Sequence, residues 1–161
     1  MINPQSFRQT MSRFATGITV IATRDSDGKA VGLTVNSFTS VSLDPPLVSF
    51  CLDKRAHLFP LFKKADLFSV NILSENQQPV SQHFANFRKN PAPPRLWTKS
   101  QDDCPILSGT LGWMLCRKAT AYKGGDHMIF LGEVIRLSPR LSKANPLIYF
   151  DRHYRHIASM E

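Results

Sequence analysis

The sequence predicts a mainly β fold, an antiparallel barrel with short covering helices. About seven apolar runs of strand length occur along the chain, and helical segments do not alternate strictly with them. A doubly wound sheet requires that alternation, whereas antiparallel barrels join short strands by turns. The 161 residues fit one domain, covering 1–161, and 42% apolar residues suffice for one core.

The first predicted element is an amphipathic helix, with Asn3 as its N-cap, Pro4 at its first position and Gly17 as its terminator. Its apolar residues recur at helical spacing, so we expect them to form a core-facing stripe that covers an open end of the sheet. The residues of this stripe are Phe7, Met11 and Phe14.

A hairpin follows, formed by strands 18–24 and 30–35 with a glycine-containing turn. Residues 47–52 form an apolar run of the length expected for a buried strand, and 67–73 form another. Between these two strands, Pro60 limits the helical pattern to a short helix.

Ser74 and Gln77 match a capping box, which predicts a helix that places Val80 and Phe84 on one face. The composition then shifts to Pro, Lys, Arg and polar residues, so 86–108 is predicted to be an irregular surface excursion. Two further runs, 111–122 and 127–137, predict a long hairpin, and 146–150 is expected to be the last strand.

The stretch from Gly32 to Pro46, GLTVNSFTSVSLDPP, is unusually rich in hydroxyl groups for a strand and its continuation. At a period of two, one face is apolar and the other is polar, so one side could pack inward while the other lines a polar ligand. The apolar face would carry Leu33, Val35, Val41 and Leu43, and the polar face Thr34, Asn36, Ser40 and Ser42.

The formal net charge of +8 favours anionic partners, which could be nucleic acid, an acidic membrane or phosphorylated small molecules. Cys51, Cys104 and Cys116 form no CxxC pair, which argues against a disulfide framework or a metal site and favours a reducing cytoplasm. No run of about 18 apolar residues predicts a membrane span, and the first residues lack the apolar core of a signal peptide. We therefore expect a soluble protein.

The sequence contains no GxGxxG before a helix, no GxxxxGK[ST], no HExxH and no GxSxG. A nucleotide would therefore have to be bound by another architecture. Hydroxyls, backbone N–H groups and nearby cations at a barrel edge can do this, because phosphate oxygens need several converging donors. Lys54 and Arg55 could supply the cations.

Five segments occur in an order that resembles the flavin reductase family of the FMN-binding split barrel. They are FATGITVIAT, GLTVNSFTSVSLDPPLVSFCL, FSVNIL, GGDHMIFLGEV and PLIYF. The resemblance implies an antiparallel split β-barrel and a homodimer that transfers a hydride from NADH or NADPH to FMN or FAD. It also implies that reduced flavin is supplied to a partner monooxygenase.

The resemblance further implies three flavin-contacting segments and one nicotinamide residue. Those positions are Thr34, Val35, Asn36, Ser37, Phe38, Ser40 and Val41 in the first segment, Arg55, Ala56 and His57 in the second, Phe84 and Ala85 in the third, and His127 on the nicotinamide side. Hydride transfer depends mainly on positioning, and the flavin carries the difficult chemistry, so few acid–base residues are needed. We therefore assign His127 to orienting the nicotinamide.

Simpler interpretations exist for the same residues. Taken alone, a Ser/Thr-rich strand edge is more often solvated than a ligand site, and a histidine at a hairpin start is more often a turn residue. Cys51 is interpreted as a small buried hydrophobe, and His153 and His156 as part of a solvated tail without a metal.

Three function classes follow: a flavin reductase, a carrier that holds flavin tightly without turning over free flavin, and a basic barrel that binds nucleic acid. The third is disfavoured because aromatics are not interleaved with Lys and Arg on neighbouring strands. The first two differ in whether added flavin accelerates nicotinamide oxidation.

Overall fold

A computed structural model describes residues 2–86, 92–98, 104–140 and 143–157. Its helices are α1 (Pro4–Ser12), α2 (Phe59–Lys64) and α3 (Gln78–Phe84). Its strands are β1 (Thr16–Gly17), β2 (Thr19–Arg24), β3 (Ala30–Val35), β4 (Thr39–Leu43), β5 (Pro46–Asp53), β6 (Leu67–Ile72), β7 (Trp97–Thr98), β8 (Ile106–Leu107), β9 (Gly112–Gly124), β10 (His127–Pro139), β11 (Ile148–Phe150) and β12 (His153–Arg155).

Within the described residues, seven of these strands form one antiparallel sheet in the order β3-β2-β6-β9-β10-β5-β4. The two edge strands, β3 and β4, are consecutive in the chain and are joined by residues 36–38 alone. Three residues span roughly 10 Å when extended, so both edges of the sheet must lie close together. The sheet is therefore curled into a barrel with a seam between β3 and β4, which confirms the predicted split barrel.

One apolar cluster fills the interior of this barrel, and its members come from strands along the whole width of the sheet and from α2. The buried members are Ile21, Val35, Val48, Phe50, Leu52, Phe62, Phe68, Val70, Cys116 and Phe130. The rings of Phe50 and Phe130 are stacked with their centroids 5.1 Å apart. Because Val35 and Val48 belong to opposite halves of the sheet, this shared core stabilises the closed form.

A second cluster packs on the outer surface of the barrel, beneath α3, β7, β8 and β11. Its buried members are Ile18, Val20, Ala22, Leu73, Phe84, Ala92, Leu107 and Leu147. Strand β2 therefore has apolar neighbours on both faces, since Ile21 belongs to the inner cluster while Val20 and Ala22 belong to the outer one. This explains its continuous apolar sequence.

The predicted N-terminal helix is confirmed, but its role is not the predicted one. The Oδ1 of Asn3 accepts a hydrogen bond from Gln5 N at 2.8 Å, as expected for the N-cap. The helix ends at Ser12, and Gly17 lies in β1. Its apolar stripe, predicted to face the core, is 58%, 50% and 69% exposed at Phe7, Met11 and Phe14. This face of α1 lines an open cleft opposite Tyr149 of β11 instead of packing in the core.

Two face assignments in the hydroxyl-rich stretch are also wrong. Val41 and Leu43 are 51% and 95% exposed, because the chain leaves β3 after Val35 and crosses the seam before β4 begins. A bulge between Ser40 and Ser42 then shifts the period within β4.

Two smaller expectations need correction, and one is confirmed. The described part of 86–108 is not wholly irregular, since Trp97 pairs with Leu107 in a short β7–β8 ladder. The run 146–150 is followed by a further strand, β12. The capping box is present, with Ser74 N donating to Gln77 Oε1 at 3.1 Å. No helix in the described ranges is long and apolar enough to cross a bilayer.

Candidate functional site

The side chain of Ser37 ties the segment that crosses the seam to β5. Its Oγ accepts a hydrogen bond from Cys51 N at 3.0 Å and donates one to Cys51 O at 3.1 Å. Backbone pairing between β4 and β5 ends at Thr39 and Ser49. The Ser37 hydroxyl therefore bonds to the backbone N–H and C=O of Cys51, where a further β4 residue would otherwise pair. Asn36 and Ser37 are exposed beside the seam, whereas Phe38 packs against the inner core.

The chain turns sharply where β5 ends, and Asp53 organises the turn. Its Oδ1 accepts a hydrogen bond from Arg55 N, and its Oδ2 lies 2.8 Å from Arg55 Nη2. Hydrogen bonds from the Arg55 side chain hold the pKa of the Asp53 carboxyl well below its usual range, and the same pairing raises the pKa of Arg55. Arg55 is nevertheless 82% exposed, so its guanidinium remains accessible to an anion.

His127 lies beside this turn because it is the register partner of Asp53 in the β5–β10 ladder. Its Nδ1 is 2.8 Å from the Oδ1 of Asp126, and this hydrogen bond lowers the pKa of the Asp126 carboxyl. The backbone of Lys54 donates to Asp126 O at 3.0 Å, and its Nζ donates to Gly125 O. These contacts join the turn after β5 to the β9–β10 turn.

The structure therefore brings together three of the predicted groups at one end of the barrel. Residues 36–38 contact β5 through Cys51, and β5 leads two residues later to the turn at 53–57, which pairs with His127. We call this arrangement the seam site. Ala56 packs against the inner core, His57 is exposed, and Ser40 and Val41 lie exposed on β4 across the seam.

The remaining predicted residues lie on the outer face, near α3. Thr34 Oγ1 donates to Ser81 O at 2.7 Å, and the Ser81 hydroxyl lies 3.0 Å from Tyr154 Oη. Phe84 is only 2% exposed and contacts Trp97 edge to face, so its side chain belongs to the core. Ala85, the next residue, is exposed at the end of α3. Val35 is likewise a core residue, 8% exposed.

Sequence reasoning did not identify the side chains that hold the site in place. Asp53 and Asp126 each fix a predicted neighbour, and Ser81 fixes Thr34. The only local signal was the order of Asp53 and Arg55, since an aspartate readily accepts from the backbone N–H two residues later.

The chemistry that the seam site offers is polar binding. Asn36, Ser37 and Ser40 present amide and hydroxyl groups, and Arg55 presents a cation. Cys51 is not activated, because burial raises the pKa of its thiol. No cluster of metal-ligating side chains occurs in the part of the chain that the structure describes. These features suit a flat polar ligand with an anionic group.

Comparisons with known proteins point to one family. A family model described as a flavin reductase like domain matches residues 11–158. A flavin reductase of Pseudomonas putida is 34% identical over 159 residues, which cover 99% of this chain and 93% of that protein. A Rhizobium meliloti relative is 40% identical over 134 residues, and this chain spans 43% of its length.

One further relative and one solved structure give the same result. The reductase component of a 4-hydroxyphenylacetate 3-monooxygenase from Thermus thermophilus is 36% identical over 95% of this chain and 96% of its own. The NADH:FAD oxidoreductase SgcE6 of Streptomyces globisporus, solved with NAD and FAD fragments, superposes with a TM-score of 0.86 at 31% identity. That alignment covers 98% of this chain and 96% of the other.

Proposed function

The chain belongs to the flavin reductase like domain family, and from this premise we propose that it transfers a hydride from NADH or NADPH to FMN or FAD. The observation that carries the proposal is the seam site, where residues 36–38, the turn at 53–57 and His127 meet at one end of the barrel. When bound there, the flavin supplies the hydride-accepting chemistry.

The seam residues fit the binding of a flavin. Asn36, Ser37 and Ser40 provide hydrogen-bonding groups for the polar ring edge and ribityl chain, and Val41 is exposed beside them. Thr34 lies on the outer face near α3, and Phe38 packs against the inner core. Val35 and Phe84 are core residues, so only their backbone can contribute. Ala85 is accessible at the end of α3.

The turn after β5 fits the flavin phosphate. Lys54 and Arg55 contribute positive charge, and Ala56 and His57 complete the segment. Asp53 orients the Arg55 guanidinium before any ligand arrives, which lowers the entropic cost of binding.

His127 is proposed to orient the nicotinamide. In the neutral imidazole, a hydrogen bond from Nδ1–H to Asp126 leaves Nε2 as an acceptor. That acceptor can receive a hydrogen bond from a carboxamide N–H group. No proton transfer by His127 is required for hydride transfer between two stacked rings.

The experiment that tests this function measures NADH and NADPH oxidation by the purified protein with and without added riboflavin, FMN or FAD. A flavin reductase turns over many equivalents, and its rate saturates with free flavin. A tightly bound flavin carrier would be purified yellow, and its rate would not depend on added flavin. An unchanged background rate with every flavin would overturn the proposal.

We further propose that the protein is a homodimer and that it supplies reduced flavin to a partner monooxygenase in the cytoplasm. The open seam supports the dimer, since so small a barrel needs a neighbouring chain to wall its ligand groove. The Thermus thermophilus relative is a monooxygenase component. All three cysteines are free thiols, as expected in a reducing compartment.

A further inference from the structure

A cleft of about 450 Å³ lies between α1 and the β11–β12 hairpin, and Asn36 forms part of its wall. It therefore adjoins the seam site directly. Its wall carries two guanidinium groups, those of Arg8 and Arg152, and both residues are exposed. Among the cleft-lining residues that the structure describes there is no carboxylate, so these two charges are not neutralised within the cleft.

Arg152 occupies a backbone conformation that disfavours arginine. Phe150 and His153 are paired, so Asp151 and Arg152 form a two-residue hairpin loop. Both have positive φ angles, 51° and 64°, as in a type I′ turn, where Asn or Asp followed by Gly is preferred. Aspartate suits the first position, but a long side chain is unfavourable at the second. The sequence thus places a cation at a position where glycine would be more stable.

The loop is fixed to α1, which sets the position of Arg152. Asp151 N donates to Ser12 O at 2.8 Å, and the Asp151 carboxylate lies 3.3 Å from the Arg13 guanidinium. Arg13 also lies over the ring of Phe150, 4.8 Å from its centroid. Asp151 and Arg13 therefore compensate each other, whereas Arg8 and Arg152 have no ion-pair partner within the described part of the chain.

Apolar side chains complete the cleft. Phe7, Met11, Phe14 and Tyr149 line it together with the two arginines. Aromatic side chains stack on nucleobases. A guanidinium group binds a phosphate through two parallel hydrogen bonds. The volume lies within the range of small-molecule sites, about 300–1,000 Å³.

We propose that this cleft binds the phosphate-bearing adenosine half of a dinucleotide substrate, and that Arg152 is a specificity-determining residue for it. The inference rests on the proposed function, because the flavin and nicotinamide rings would occupy the adjoining seam site. FAD and NAD(P)H share the adenosine phosphate chemistry, and the arms of the experiment distinguish them.

The test is steady-state kinetics of Arg152→Gln, with Arg155→Gln as the matched control. Arg155 is an exposed arginine of the same hairpin that does not line the cleft. One arm compares riboflavin, FMN and FAD with NADH as donor. The other compares reduced nicotinamide mononucleotide, NADH and NADPH with riboflavin as acceptor.

Arg152→Gln is expected to raise KM about tenfold for the dinucleotide that uses the cleft, because a charge-assisted phosphate contact is lost. Turnover with riboflavin and reduced nicotinamide mononucleotide should be unchanged. If KM rises only for FAD, the cleft binds the flavin. If KM rises only for NADH or NADPH, the cleft binds the hydride donor. Arg155→Gln should alter none of these constants.

Arg152→Gly provides a second readout that a purely structural role would not give. It should raise the melting temperature, since glycine relieves the positive φ, and raise the same KM. Unchanged KM values in both variants would overturn the inference, as would an equal rise in KM for riboflavin and FAD at saturating NADH.

A binding measurement separates this inference from the proposed function. Adenosine 2′,5′-bisphosphate should raise the melting temperature of the wild type, and the shift should be lost in Arg152→Gln but retained in Arg155→Gln. If this shift occurs but added flavin does not accelerate NADH or NADPH oxidation, the proposed function is contradicted and the cleft is supported. If oxidation depends on flavin but the melting temperature does not shift and the KM values are unchanged, only the cleft proposal is contradicted.

Discussion

His127 is the single residue on which recognition of the nicotinamide should depend most. His127→Ala removes the acceptor that Asp126 orients, so kcat/KM for NADH should fall roughly tenfold, as expected for one lost hydrogen bond of about 1–1.5 kcal/mol. The dissociation constant for flavin should change little. His153→Ala is the matched control, because His153 is exposed and bonds only to a local backbone oxygen. Near-normal turnover in His127→Ala would contradict the assignment.

Cys116 gives a prediction about alkaline stability. Burial raises the pKa of its thiol to about 12 in the folded state, whereas its ordinary value is 9.0. A raised pKa in the folded state favours folding below the ordinary value, and this contribution is lost as pH rises from about 9 toward 12. Denaturant unfolding at a series of pH values should show the decline, and Cys116→Ala should reduce its slope. An identical slope in the variant would exclude Cys116 as the cause.

Residue identity alone was enough to predict which polar groups would be exposed, but not what holds them. Asn36, Ser37 and Arg55 are exposed where the pattern placed them. Asp53 and Asp126 bond to Arg55 and His127, one or two residues away, but the β5–β10 register that brings these two pairs together joins Asp53 to His127, which are far apart in the sequence.

Among the strands, β10 has a glycine that its neighbours require. A Cβ at Gly132 would lie 2.4 Å from Phe68 Cζ and 3.0 Å from Cys116 Cβ, both in the inner core. Gly132→Ala should therefore lower the free energy of unfolding by about 1–3 kcal/mol through overpacking. Gly17→Ala is the control, since nothing lies within 4 Å of its Cβ position. Equal unfolding midpoints for the two variants would show that Phe68 can move aside.

The elements themselves were largely predictable, because strand-length apolar runs and turn residues are local features. The hairpin of β2 and β3 and the long hairpin of β9 and β10 lie where the pattern placed them. The apolar stripe of α1 was misassigned because periodicity reports that a face is apolar but not what covers it. Strands β7 and β8, only two residues long, are too short for a periodic signal.

At the scale of the whole molecule, the seam determines where the predicted flavin-contacting segments 36–38 and 53–57 come together. The sequence predicted an antiparallel barrel, but the position of its opening depends on the strand order, which places β3 and β4 at opposite edges. That order results from pairings between distant strands, which local patterns do not encode.

The open seam of so small a barrel predicts assembly. In sedimentation experiments the wild-type protein should have twice the monomer mass, because a second chain is expected to wall the ligand groove. A wild-type protein that sediments as a monomer would rule out the dimer.

Anaerobic mixing of NADH with FMN or FAD, in the presence and absence of the protein, measures hydride transfer most directly. With catalytic amounts of the protein, the flavin absorbance should bleach in step with NADH oxidation, one flavin reduced per nicotinamide oxidised. Flavin that stays oxidised at the rate seen without protein would contradict the central claim, that the seam of this barrel brings a reduced nicotinamide to a flavin.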